Sequence, residues 1–185
     1  LAKMSYREEP EGVLALVEIP QRAIPQDATL ILVAVGIEKP GNLGAMVRTT
    51  AAVGANGVLV ADGGTDPFNP NVVRTSTGAI YSLPLVIERG PVLRAWLRDR
   101  GVRLVIATPE AAEPWDQVDF TGPTALVIGA EDIGVDAIWR EAALEDGGVS
   151  VSLPVECDNI DSLNAGTTAG ILLYEALRQR RASQR

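Results

Sequence analysis

Three short stretches of this chain pair side chains that can orient or polarise a ligand with turns that let a ligand approach the backbone. The first, Gly36-Ile37-Glu38-Lys39-Pro40-Gly41-Asn42-Leu43-Gly44, leads to Arg48, six positions beyond Asn42. An amide beside a guanidinium can position a polar substrate and stabilise developing negative charge. The second, Gly129-Ala130-Glu131-Asp132-Ile133-Gly134, brackets two carboxylates with glycines. The third joins Leu153-Pro154 to a polar loop that ends in Ser162-Leu163-Asn164-Ala165-Gly166. Each also has a purely structural reading. Asn42 can be a helix N-cap with Arg48 solvated, the acidic turn a capped strand-to-helix connection, and the third stretch the start of a close-packed core helix.

The chemistry open to these residues is bounded by what the chain lacks. It has no histidine and a single cysteine, Cys157. Structural zinc and Ser-His or Cys-His catalysis are thereby disfavoured, and no disulfide can form within one chain. No metal is expected. The G-x-G-x-x-G phosphate fingerprint is absent. Glu131 and Asp132 would stand where a dinucleotide pyrophosphate sits, which speaks against NAD or FAD.

The elements around the three stretches alternate. The continuous apolar, β-branched run 29–35 reads as a strand buried on both faces of a mostly parallel sheet, 103–107 as another buried strand, and 57–61, 83–87, 124–128 and 149–153 as further strands. Helices are expected over about 43–53, ending at Gly54, over 72–76 as a short turn, over 91–100 and 136–143, and from Ser162 to about Arg181, with Asp161 or Ser162 as N-cap. The pattern is α/β, and in such sheets ligands bind at the carboxyl ends of the strands, where all three stretches fall. Residues 1–27 form a lead-in whose apolar run 13–19 reads as an edge strand. Residues 28–185 form the main domain.

No apolar run approaches the roughly 20 residues of a membrane-spanning helix, and no secretory signal pattern opens the chain. A cytoplasmic, non-membrane protein is expected. The net charge of −8 argues, taken alone, against a nucleic-acid partner, although locally placed cations can override it.

The order of the motifs is more specific than any one of them. Asn42…Arg48, then Gly129-x-Glu131-x-x-Gly134, then Leu153-Pro154…Ser162-Leu163-Asn164…Gly170-Ile171-Leu172-Leu173-Tyr174-Glu175 closely resembles the three motifs of the SpoU (TrmH-like) branch of the SPOUT methyltransferases. The resemblance covers about residues 28–180. It implies an α/β fold whose C-terminal segment forms a deep trefoil knot, S-adenosylmethionine as cofactor, and a homodimer with active sites completed across the interface. Trp96, Trp115 and Trp139 include candidate interface anchors. The lead-in resembles the junction that follows an N-terminal RNA-binding domain in such proteins.

Carried over by position, Arg48 is the implied catalytic arginine, Asn42 helps place it and the substrate, and Glu131 orders the site. Ser162 and Asn164 lie near cofactor and ribose. Ile128, Gly129, Leu153 and Leu163, with Ala107 and Thr108 at another strand end, hold the cofactor, and Arg74 faces RNA phosphate. The implied activity is methylation of an RNA ribose 2′-hydroxyl, in ribosomal RNA before transfer RNA. The alternatives are a non-catalytic RNA-binding module of the same fold and a generic nucleotide-using α/β enzyme. The loop 155–161 is more acidic than the glycine-containing loop common in the family, and Cys157 within it reads as a small buried residue without a catalytic part.

Overall fold

A computed structural model describes residues 12–157 and 159–184. Seven strands form a single sheet: β1 (Leu30–Val35), β2 (Gly57–Ala61), β3 (Leu85–Glu88), β4 (Arg103–Ala107), β5 (Glu113–Pro114), β6 (Thr124–Ile128) and β7 (Val149–Ser152). Their order is β3-β2-β1-β6-β4-β7-β5, and every pairing is parallel. The central strands β1, β2 and β6 are buried along their whole length. That burial explains their unbroken apolar composition, because helices cover both faces.

Five helices do the covering: α1 (Pro40–Ala52), α2 (Pro70–Thr75), α3 (Gly90–Arg98), α4 (Ala137–Glu145) and α5 (Ala165–Ala182). Leu43, Met46 and Val47 of α1, Val72 of α2 and Ala169, Leu172 and Leu173 of α5 pack on one face with Leu32, Val60 and Leu126. Leu93 and Leu97 of α3 and Trp139 and Ala142 of α4 pack on the other with Ile31, Leu59 and Val127. Strand alternation sends neighbouring residues to opposite layers.

Several expectations need correction. Residues 13–19 form no strand; the sheet ends at β3 and β5, the run pairs with neither edge, and Leu16 is fully exposed. Cys157, expected to be buried, is exposed in its polar loop. Order begins to be tied down at Arg22, whose Nη1 donates to Ser82 O at 3.0 Å, and at buried Ile24. Helix α1 starts at Pro40 rather than Leu43, because a proline at the first position carries the helical φ in its ring. Asn42 therefore lies inside the first turn and does not cap it. Helix α5 starts at Ala165, not Ser162. Its cap is Asn164, whose side chain accepts from Gly166 N and Thr167 N. Trp139 is 1% exposed and belongs to the core, so it cannot anchor an interface. Its Nε1 donates to Asp62 Oδ2 at 3.1 Å.

The path between β4 and β6 bears on the site. The chain leaves β4, runs outward to pair as β5 at the sheet edge, and returns to β6 on the far side of β4. Strand β7 lies inside that arc, between β4 and β5. On the return, Val118 and Phe120 bury themselves in the layer that holds α5. The last turns of α5 are bonded to the arc. Gln179 Nε2 donates to Val118 O at 2.9 Å, and Gln179 Oε1 accepts from Phe120 N at 2.8 Å. Arg180 donates to Phe120 O, Gly122 O and Thr29 O at 2.9, 2.6 and 2.7 Å.

A guanidinium that serves three main-chain carbonyls is hard to replace, since its loss strips three acceptors of a charged donor. Arg180→Met is expected to destabilise the fold by about 2–3 kcal/mol, read from urea unfolding midpoints. A change under about 0.5 kcal/mol would show that solvent serves these carbonyls equally well.

Candidate active site

Strands β6, β4 and β7 are neighbours, and their carboxyl ends open onto one cleft of about 600 Å³. Ala107, Thr108, Ile128, Gly129, Leu153 and Leu163 all line it, together with Glu131 and Ser162. Residues separated by 50 or more positions in the chain are thus brought to one place by parallel strand order. Pro109, Val155, Asp161 and Thr168 also line the cleft.

The turn after β6 gives the cleft its shape. Gly134 N donates to Ala130 O at 2.8 Å, and Ala130 and Gly134 form an isolated antiparallel bridge. Gly134 sits at φ 70°, a backbone conformation that favours glycine. The turn folds back so tightly that a Cβ on Gly129 would strike the Gly134 carbonyl and come within 2.5 Å of Val135 N. Glycine at 129 is therefore a packing requirement, and the turn projects Glu131 at the cleft mouth.

Glu131, in the second motif, gathers residues from the first and the third. Its Oε1 accepts from Asn42 Nδ2 at 2.9 Å, from Asn164 Nδ2 at 2.6 Å and from Ala165 N at 3.4 Å. Asn164 Nδ2 also reaches Asn42 Oδ1 at 3.0 Å. Lys39 Nζ donates to Glu131 Oε2 as an ion pair. One carboxylate therefore ties the start of α1, the turn after β6 and the start of α5 together. Lys39 was the member that sequence reasoning missed. Only its place three residues before Asn42 hinted at it, and its partner lies 92 positions away.

The electrostatics follow from the contacts. The hydrogen bond from Lys39 is the largest influence holding the Glu131 carboxyl below its ordinary value; the bonds from Asn42 and Ala165 N add to it, and burial opposes them. Glu131 in turn raises the Lys39 ammonium above its ordinary value. With Glu131 depressed, the unfolded chain takes up a proton before the folded site does. The network's contribution to stability is full above the ordinary glutamate value and is lost as pH falls through the lower folded value. The melting-temperature gap between wild type and Glu131→Gln is therefore expected to be constant near neutrality and to close below about pH 4. A gap that persists in strong acid would show that the carboxylate charge contributes nothing.

A second, polar cleft of about 460 Å³ adjoins the first and shares Ala130, Glu131 and Ala165 with it. Ile37, Glu38, Lys39, Asn42 and Asp132 complete its lining. Glu131 thus forms part of the wall between a mostly apolar cleft and a polar one.

Two of the residues singled out lie apart. Arg48 is exposed on α1, about 9 Å along the helix axis from Asn42 and roughly 120° around it. Arg74 is exposed on α2, where its Nη2 donates to Asn71 Oδ1 at 3.3 Å. Helix α2 packs on α1 where Gly44 leaves room for Thr75, whose Oγ1 also reaches Pro40 O at 3.5 Å. Neither arginine enters the cluster around Glu131 of its own chain.

Among the described residues, the charged side chains lining the first cleft are Glu131 and Asp161, with no lysine or arginine. A pyrophosphate would find no counter-charge there, which weakens the dinucleotide reading.

Comparison with known proteins agrees with this geometry. The chain matches the family model described as the SpoU rRNA Methylase family over residues 29–174. An uncharacterized tRNA/rRNA methyltransferase of Synechocystis is 34% identical over 99% of this chain and 66% of its own length. A 23S rRNA (uridine(2479)-2′-O)-methyltransferase of Streptomyces viridochromogenes is 35% identical over 94% of this chain and 62% of its own. The solved SpoU methyltransferase AviRb of the same organism, in complex with AdoMet, superposes with a TM-score of 0.79 at 34% identity, covering 86% of this chain and 61% of that one. The chain thus spans about three fifths to two thirds of the length of these relatives. The extent of the family match establishes that the chain belongs to the SpoU rRNA Methylase family.

Proposed function

We propose that this chain transfers a methyl group from S-adenosylmethionine to a ribose 2′-hydroxyl of RNA, with ribosomal RNA the preferred substrate. The observation that carries this reading is the meeting of Asn42, Glu131 and Asn164 at the mouth of a cleft lined by all six residues expected to hold the cofactor. The cleft fits the cofactor in chemistry. Its walls are mostly apolar, and its charged side chains are carboxylates, which suit a sulfonium cation. The AdoMet complex of AviRb and the 23S rRNA named for the Streptomyces relative support the cofactor and the substrate class.

Ile128, Gly129, Leu153 and Leu163, with Ala107 and Thr108, would hold the adenosine and methionine parts. When bound, S-adenosylmethionine supplies an activated methyl on a sulfonium whose leaving group is a neutral thioether. The protein must then place the 2′-oxygen in line and make it more nucleophilic, which is largely a matter of orientation. Asn42 and Ser162 orient the substrate, and Glu131 fixes Asn42 and Asn164. The Arg48 guanidinium lowers the pKa of the 2′-hydroxyl by stabilising the charge that develops on its oxygen. Arginine does not give up its own proton in proteins, so the proton leaves the 2′-oxygen for an RNA phosphate oxygen or water.

Arg48 stands away from the Glu131 cluster of its own chain, on the exposed side of α1. This placement favours a homodimer in which each protomer lends Arg48 to its partner's site, with Arg74 on the adjoining helix directed to RNA phosphate. The arc 108–123, with β7 inside it and α5 bonded to it, supports a deep trefoil knot as the frame of the cleft. A cytoplasmic location accords with a ribosomal RNA substrate. The test is to incubate the chain with methyl-labelled S-adenosylmethionine and either 23S rRNA or tRNA transcripts, then analyse nucleosides by mass spectrometry. A ribose-methylated nucleoside from 23S rRNA is the expected result. Label in tRNA alone would move the substrate, and cofactor binding without transfer to either would favour a non-catalytic RNA-binding module.

A further inference from the structure

Lys39, in the polar cleft, is a side chain that the proposed mechanism does not use. Among the described residues it is the only cation lining either cleft. It is also the residue just before α1, and its carbonyl accepts the first helical hydrogen bonds from Asn42 N and Leu43 N at 3.0 and 3.2 Å. Its own side chain does not cap that helix. The ammonium turns instead to Glu131 Oε2.

This direction matters because the two carboxylate oxygens have separate tasks. Oε1 receives all three donors from the start of α1 and the start of α5, namely Asn42 Nδ2, Asn164 Nδ2 and Ala165 N. Oε2 receives Lys39. A carboxylate is planar, so fixing one oxygen fixes where the other points. With Lys39 removed, the three donors still hold Oε1, but Oε2 loses its partner and the carboxylate plane can rock about Oε1, loosening the angles at which the two asparagines meet it. Rotation about the terminal torsion is broad and soft, so the second anchor is what sharpens the orientation. Asn164 caps α5, and Leu163 immediately before it lines the cofactor cleft. The effect of Lys39 thus reaches the cleft through Glu131 and Asn164.

We propose that Lys39 is a positioning residue that locks the Glu131 carboxylate in the one orientation that holds Asn42 and Asn164 together. The inference rests on the methyltransferase reading for its consequence, but the lock itself is a property of the free protein. Lys39 does not touch the reacting atoms; it acts through Glu131. Two features of lysine suit the task. Its side chain is 70% exposed and reaches the carboxylate from the solvent side, so it blocks neither cleft. Its charge strengthens a bond that a neutral donor would make only weakly at an exposed position.

The test uses the full chain as wild type, Lys39→Ala, Lys39→Arg, Glu131→Gln and the Lys39→Ala/Glu131→Gln double variant. The side-chain amide resonances of Asn42 and Asn164 report on the lock directly by NMR, without any ligand. S-adenosylmethionine titrated by calorimetry reports on the consequence. Lys39→Ala is expected to shift and broaden both amide signals and to weaken cofactor affinity by about fivefold to tenfold, while Lys39→Arg stays within about twofold of wild type. The double variant is expected to bind no more weakly than Glu131→Gln alone, because Lys39 has no task once the carboxylate is gone. Unmoved Asn42 and Asn164 signals in Lys39→Ala would overturn the inference. So would effects of Lys39→Ala and Glu131→Gln that simply add. If the wild type binds no S-adenosylmethionine, the functional reading fails, and the amide signals still decide whether Lys39 is a lock.

Discussion

Replacing Arg48 by alanine is expected to leave S-adenosylmethionine affinity within about threefold of wild type and to lower methyl transfer by about a thousandfold. The division follows from the geometry. Arg48 is exposed on α1 and lines neither the cofactor cleft nor the polar cleft of its own chain, so the free site loses nothing when it is removed. Its proposed task arises only when charge develops on the 2′-oxygen. A group that acts only in the transition state lowers kcat without changing ground-state binding. Lysine keeps the charge but not the planar fork, so Arg48→Lys is expected to recover only part of the rate. Mixing inactive variants tests whether the arginine is lent across a dimer. Heterodimers of Arg48→Ala with a cleft-blocked protomer regain one working site if the arginine acts on the partner, and none if it acts within its own chain. A weakening of cofactor affinity equal to the loss of rate would place Arg48 in the cofactor site and remove this account of it.

Gly129→Ala is expected to abolish detectable cofactor binding, a loss of at least about a hundredfold, and to lower stability by about 1–3 kcal/mol. A single methyl has this effect because the turn after β6 folds onto Gly129. The added carbon would strike the Gly134 carbonyl, which is main chain and has no rotamer to yield. Relief requires the 130–134 turn to open, and that turn carries Glu131 and lines the cleft. Gly122→Ala provides the control, since a Cβ there meets nothing within 4 Å and its φ lies outside the left-handed region. Unchanged S-adenosylmethionine affinity in Gly129→Ala would show that the cofactor does not sit against this turn.

Much of this frame was legible in the residues because burial on both faces leaves a strand no room for polar positions. The run 57–61 coincides with β2, and 103–107 with β4. Five of the residues that line the first cleft were legible for a related reason: Ala107, Thr108, Ile128, Gly129 and Leu153 sit at strand ends, and parallel order puts those ends side by side. What was not legible depended on long-range geometry. Strand β5 is two residues long and includes a proline; it exists because β7 offers it an edge, not because Glu113 and Pro114 favour a strand. The residues Asp161, Ser162 and Asn164 can all cap a helix, and local chemistry could not say that Asn164 would do so while also reaching Glu131. Lys39 read as an ordinary turn lysine until the fold brought Glu131 to it. The apolar run 13–19 shows the reverse error, a strand-like pattern that joins neither edge of the sheet. The acidic balance of the chain said little about the site, where placement of a few charges outweighs their sum.

Calorimetric titration of S-adenosylmethionine into the wild-type chain and into Asn164→Ala, with NAD as a competing candidate, tests the central claim most directly. Asn164 caps α5 and holds Glu131, so its loss weakens both the helix start and the cleft mouth. The account predicts one site per chain with affinity on the order of micromolar, weakened about tenfold or more by Asn164→Ala, and no NAD binding. A folded wild type that binds no S-adenosylmethionine, or that binds NAD in its place, would contradict it.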